Sequence, residues 1–419
     1  LVLYFLFDKC MVEIWLKYGN TEIFFESENF QVFQPKNYPP LPNMNEAFQE
    51  IIKKLIDDYL LKKDEKIVFV IDDKGFPESI KLFVNRLIEE LRSLKLNDKN
   101  IIFLIASRNG KELKSKDLYN IFNKEAINNY KIICHNPLKN EFEFIGKTSF
   151  GTNVYLNKIF TEADIKILLG NILINPLIGY SSIGETIIPG IAKEETIKQN
   201  FSLILENKES KKFSEYSIHK DSLEAAKFSG IDFSIYFLLN SNNEISAIFS
   251  GSIEDISEKS INLLNEIYNL KINEKADIVV ASLGGFPYDK TFENACNCLI
   301  NLLNILSEKG VLIIVSECRK GLGSIVFSSF LEKDSKEIYE KLKQEPRIEI
   351  YRAYILKKFL EDFKMAIISI IPKSIISELL KIKSYDNISE ALTYAFRIVG
   401  KNSKLFVIPE CYKTIFKEV

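Results

Sequence analysis

From Val12, apolar and polar positions alternate through VEIWLKY, break at Gly19 and Asn20, and alternate again through TEIFF. That pattern is a β-hairpin about a short turn. Between Asn45 and Leu61 the period lengthens: Ala47, Ile51, Ile52, Leu55, Ile56 and Tyr59 recur every three or four positions and predict an amphipathic helix. KIVFVID, 66–72, is a short unbroken apolar run of the kind a parallel sheet buries on both faces. It ends in the polar turn DKGFP before a helix predicted from Glu78 to Leu94, and IIFLIAS, 101–107, repeats the strand. Strand, loop, helix and strand make a βαβ unit, and ligands of such sheets sit beyond the carboxyl ends of the strands. Asp72, Asp73 and Lys74 therefore share one rim with the segment from Arg108 to Lys111.

A charged helix near Ile253 to Leu270 closes this part, NLKINEKAD (269–277) reads as a hinge, and a second βαβ pattern begins at Ala276. Its Gly284-Gly285 and Gly321–Gly323 loops lack the G-x-G-x-x-G spacing of a dinucleotide site, so they read as tight turns. Further strand and helix alternations run from Arg347 to the closing KLFVIPE. The expected fold class is α/β, with two domains of mixed, largely parallel sheets flanked by helices and a cleft between them. The boundaries expected are 11–270 and 271–419, with residues 1–10 an extension ahead of Met11.

Composition narrows the function. At 419 residues and 46% hydrophobic, the chain can bury two cores. Its 55 Lys and Arg are balanced by 57 Asp and Glu, which leaves no basic face for nucleic acid. The opening LVLYFLF has neither a positive leader nor the length of a membrane span, so a cytoplasmic protein is expected. Six cysteines without a C-x-x-C pair read as reduced thiols, and Cys296 and Cys298, two apart in a predicted helix, point different ways and make a poor metal pair. The chain has only two histidines, His135 and His219.

Several segments carry a likeness. IGKTSFGTNVYLNKIFTEADIKILLGNIL holds Gly146, Thr148, Gly151, Thr152, Asn157, Glu162, Ala163, Asp164 and Gly170; NPLIGYSSIGETIIPG (175–190) holds Gly179, Ser181, Pro189 and Gly190. HKDSLEAAKFSGIDFSIYFLLN (219–240) holds Asp221, Gly230, Asp232 and Phe233, and the second half holds Asp289, Gly310, Glu317, Cys318, Gly321 and Gly323. In order and spacing these resemble the nickel-pincer lactate racemase family over 11–419. The resemblance implies a two-domain fold and a reaction in which hydride leaves the α-carbon of a 2-hydroxy acid for a tethered nickel-pincer cofactor and returns to the other face. Two acid/base groups and a cation for the substrate carboxylate are then required; histidine and arginine suit these roles.

The reactive positions that the resemblance implies are occupied by other residues. Asn175 and Gly110, beside Lys111, stand at the two catalytic histidines, Lys74 at the arginine, and Asp72 or Asp73 at the acidic member. Glu185 stands at the cofactor-tethering lysine, Phe201 or the adjacent Asn200 at the nickel-ligating histidine, and Asn294 and Asn297 at a glutamine and a lysine of the second domain. His135 and His219 fall at ordinary positions of the family. The expectation is a racemase scaffold with no nickel-pincer cofactor and no metal, binding a small carboxylate in the interdomain cleft as a non-catalytic or repurposed homologue. The alternative is an isomerase acting through Asp72, Asp73, Lys74, Lys111 and Glu185. A third reading is a subunit whose partner supplies the active groups. Phe201, Tyr180 and Ile183 are the residues that would plug the cleft if it were closed.

Overall fold

The computed structural model describes residues 12–60, 65–72, 78–94, 96–108, 110, 118–177, 179–181, 183–205 and 216–418. They form two compact units: one spans Asn37–Ile174 and Ile178–Ile267, the other gathers the residues up to Lys36, Asn175–Leu177 and Tyr268 onward.

In the first unit the main sheet runs Ile245–Gly251, Phe233–Leu239, Ile165–Asn175, Ile67–Asp72, Ile101–Ala106, Lys131–Cys134, with short Gly179–Ser181 added beside Ile165–Asn175. The path is parallel except for the antiparallel edge of Ile245–Gly251. Ile67–Asp72 is buried at every position, as its unbroken apolar run predicts. Helices Met44–Tyr59 and Glu78–Ser93 pack their apolar stripes, Phe48, Ile52 and Leu55 with Phe83, Val84 and Leu87, into one core with Phe69, Phe103 and Phe237 of the sheet. On strand Ile165–Asn175, Gly170 permits a close approach: a Cβ there would stand 2.7 Å from the ring of buried Tyr236.

In the second unit the sheet order is Lys383–Tyr385, Lys364–Ile368, Leu306–Val315, Ala276–Ser282, Leu405–Ile408, Gln31–Val32, with every neighbouring pair parallel. The predicted hairpin is present as Val12–Tyr18 paired with Thr21–Ser27. Leu16 and Phe25 on its inner face join Ile278, Val280, Val311 and Val407 in this unit's core. On the outer face Trp15 and Phe24 are each 53% exposed, their rings 4.9 Å apart. Contacts thus group the hairpin with the second unit, whereas the sequence pattern placed it with residues 11–270. Alternation reveals that a strand is half buried, not which core buries it.

The expected hinge at 269–277 is also corrected. Asn269–Ile272 is a strand paired in parallel with Ile415–Glu418, and Ala276 already begins the next strand. Leu270 and Ile272 alternate with polar neighbours, which suits a short edge pair. Cys296–Cys298 forms a tight helical turn between two short helices, both thiols buried. The described cysteines, Cys134, Cys296, Cys298, Cys318 and Cys411, are all free thiols. Among the described residues no helix is long and apolar enough to cross a membrane.

Candidate functional site

In the first unit the carboxyl ends of two adjacent central strands carry the candidate groups. Ile67–Asp72 ends on Asp72, only 3% exposed, and Arg108 follows shortly after Ile101–Ala106. Asp73, Lys74 and Lys111 lie outside the described residues. Gly110 has a left-handed backbone (φ 61°), and a Cβ there would stand 2.9 Å from the amide of Asn136, whose Nδ2 donates to the Gly110 carbonyl at 3.2 Å. A glycine thus suits both the conformation and the space.

Glu185 sits in the short helix Ile183–Ile187 and is 5% exposed. Its Oε2 accepts from Arg108 Nη2 at 2.6 Å, an ion pair joining residues 77 positions apart. Beside it, the Tyr236 hydroxyl donates to Thr186 Oγ1 at 2.7 Å. Burial raises the Tyr236 phenol far above its usual range, the Thr186 bond opposes that, and the carboxylates of Asp72 and Glu185 add to it. Asp72 and Glu185, paired as candidates from sequence, therefore share one electrostatic neighbourhood.

His219 belongs to that neighbourhood and was missed. It lies on helix Ser217–Lys227, is 5% exposed, and its Nε2 has no hydrogen-bond partner among the described residues. Burial lowers its pKa below the ordinary histidine value and so favours the neutral imidazole, opposed by the nearby Glu185 carboxylate and a bond to the Tyr180 backbone. Only the packing of Ile183–Ile187 against Ser217–Lys227 brings it to Glu185. The tightness of that packing is visible at Gly184, where a Cβ would meet Ser222 Oγ at 2.8 Å. His135 is, as expected, a hydrogen-bonded core residue: Nε2 lies 3.0 Å from the Ala192 carbonyl and Nδ1 3.0 Å from Asn157 Nδ2.

Phe201 is 8% exposed, and Tyr180 and Ile183 are buried too. Adjacent Asn200 is committed: its Nδ2 donates to the Ile218 carbonyl at 3.0 Å and to Asp221 Oδ2 at 2.7 Å. Asp221 also accepts from Thr148 Oγ1 and, at 2.9 Å, from Thr152 Oγ1. Asn175 ends its strand in a turn, its Oδ1 accepting from the Leu177 N–H at 3.1 Å. Among the described residues no group of three or more His, Cys, Asp or Glu could hold a metal ion.

The second unit has its own polar cluster. The Asn294 N–H donates to Thr291 Oγ1 at 3.1 Å, an N-cap for the turn that carries Glu293 and Asn297. Arg352, from helix Ile348–Asp362, donates from Nε to Asn297 Oδ1 and from Nη1 to Glu293 Oε1, each at 2.7 Å. Sequence reading missed Arg352 and Glu293. One signal was available: only seven arginines stand among 55 basic residues, and two of them, Arg108 and Arg352, make ion pairs with buried glutamates.

Comparison with known proteins converges on one lineage. Residues 18–212 match the lactate racemase N-terminal domain model and residues 272–416 the lactate racemase C-terminal domain model. A lactate racemase of Thermoanaerobacterium thermosaccharolyticum is 26% identical over 430 aligned residues, covering 97% of this chain and 100% of the relative. One of Lactiplantibacillus plantarum is 24% identical, covering 88% of this chain and 91% of the relative. The lactate racemase apoprotein structure from T. thermosaccharolyticum superposes with a TM-score of 0.84 at 23% identity, over 97% of this chain and 100% of the other. A Thermotoga maritima protein gives 0.68 at 15% identity, over 92% and 100%. With both domain models matched in order along one chain, and the α/β fold shared throughout, this protein belongs to the lactate racemase family.

Proposed function

We propose that this family member has given up nickel-pincer-dependent racemisation of 2-hydroxy acids and serves as a repurposed binder of a small carboxylate, in the cytoplasm, where its free buried thiols stay reduced. The observation that carries this reading is the Arg108–Glu185 ion pair at 2.6 Å, at the position the resemblance assigns to the cofactor tether. A tethering lysine supplies an amine for an amide bond, whereas a carboxylate held by a guanidinium supplies none. At the ligand position Phe201 is a hydrocarbon, and the Asn200 amide is engaged by Ile218 and Asp221. The residues present do not fit the nickel-pincer group.

The test is elemental analysis and intact-mass measurement of protein purified from cells that make the cofactor, with an assay for D- and L-lactate interconversion. The expected result is no stoichiometric nickel, a mass equal to the polypeptide alone, and no interconversion. One nickel per chain, or a nickel- and sulfur-containing adduct, would overturn the reading.

A second reading, an isomerase with changed acid/base groups, is supported by the packing of the helix that carries His219 against the helix that carries Glu185, which puts the imidazole within electrostatic range of the carboxylate. It requires deuterium from D2O at the α-carbon of a 2-hydroxy acid, lost in His219→Gln; a panel of such acids without exchange removes it.

A further inference from the structure

Arg352 is held as few cations in this chain are. Among the described ion pairs, only Arg108–Glu185 and Arg352–Glu293 have both side chains at 25% exposure or less, and the second is the more enclosed, at 16% and 7%. Its acceptors are themselves fixed. Glu293 Oε2 accepts from the Ser324 N–H at 2.7 Å, and the chain passes so close that a Cβ on Gly323 would stand 2.4 Å from Glu293 Cβ. Asn297 is 3% exposed and receives Nε.

Two edges of the guanidinium are thus spent on orientation, and Nη2 has no partner among the described residues. Both Glu293 oxygens accept hydrogen bonds within the protein, so this carboxylate steers the arginine without offering a free acceptor of its own. An arginine ordered before a ligand arrives has already met the entropy cost of ordering its side chain, and a spare N–H₂ edge suits a carboxylate oxygen.

We propose that Arg352 is the cation through which this chain recognises the carboxylate of a small organic acid, with Asn297 and Glu293 as positioning residues. The inference deepens the proposed binding function and rests on it. Asn297 is the position at which the resemblance implies a lysine; here the charge reaches the same spot from helix Ile348–Asp362.

The test is calorimetric titration of the full chain with L-lactate, D-lactate and glycolate. Wild type binds at least one of them, Arg352→Gln weakens that binding by about tenfold or more, and Arg352→Gln with Asn297→Lys recovers most of the loss, because the cation returns from the other element. Thermal melts of the same variants separate a structural role, because a lysine at 297 also comes within reach of Glu293: binding lost while the fold keeps its stability marks a ligand contact, and binding lost only in step with stability overturns the proposal. Should Arg352→Gln fail to fold, Arg352→Lys takes its place, keeping the charge, losing the fork and weakening binding by about tenfold. Unchanged affinity in the single variant, no recovery in the double, or no binding of any of the three acids to wild type overturns the proposal. Bound nickel would instead defeat the reading it rests on, whatever Arg352 does.

Discussion

A carboxylate at position 185 has to be matched by a cation, because at 5% exposure an isolated charge would be heavily penalised, and Arg108 provides the match. The substitution at 185 was legible from its place in the loop, but its partner was not, since nothing in a linear sequence joins residues 77 apart. His219 escaped for a related reason: it falls at an ordinary position of the family, and only the packing of its helix buries it beside Glu185. His135 allows a quantitative expectation. Burial lowers its pKa from 6.5 to about 4, and its Nδ1 accepts from Asn157. The unfolded chain therefore binds the extra proton first as pH falls. The stability this group contributes is complete above pH 6.5 and is lost progressively toward pH 4, a change of about 3 kcal/mol. Urea denaturation at several pH values checks this: the slope across that window flattens in His135→Gln.

At the scale of elements, the runs KIVFVID and IIFLIAS announce buried strands because parallel strands covered on both faces have no polar side. Their spatial order is not announced, since it depends on which strands share a core. Gly170 marks one such dependence. An alanine there must displace the Tyr236 ring, which is fully buried and tied to Thr186, so Gly170→Ala is expected to cost about 1–3 kcal/mol and to weaken the Tyr236–Thr186 bond. Chemical denaturation measures the first effect; a shift in the tyrosine ultraviolet absorbance reports the second. The hinge misreading at 269–277 has the same origin. A four-residue strand with one polar face looks like a linker until its partner, Ile415–Glu418, is known.

For the whole molecule, contacts assign the opening hairpin to the unit built chiefly from Tyr268 onward. Phe25→Ala should then destabilise by about 3–5 kcal/mol and speed amide exchange in Ala276–Ser282 and Leu405–Ile408. Strands Ile67–Asp72 and Ile101–Ala106 keep their protection. Faster exchange in the latter pair instead would show that the hairpin serves the other core. The number of domains and their class were readable from sequence because alternating strand and helix signals survive in both halves. The crossing of the chain was not, because hydrophobic alternation carries no address.

That crossing sets a schedule for biosynthesis. Gln31–Val32 pairs with Leu405–Ile408, so the earlier strand waits roughly 20–80 s, at the usual speed of translation, for its partner to be made. Meanwhile Leu16 and Phe25 have no core to enter, and Trp15 and Phe24 lie on the opposite face. Until that core is made, both faces of these strands carry uncovered apolar side chains, the kind of surface a holding chaperone recognises.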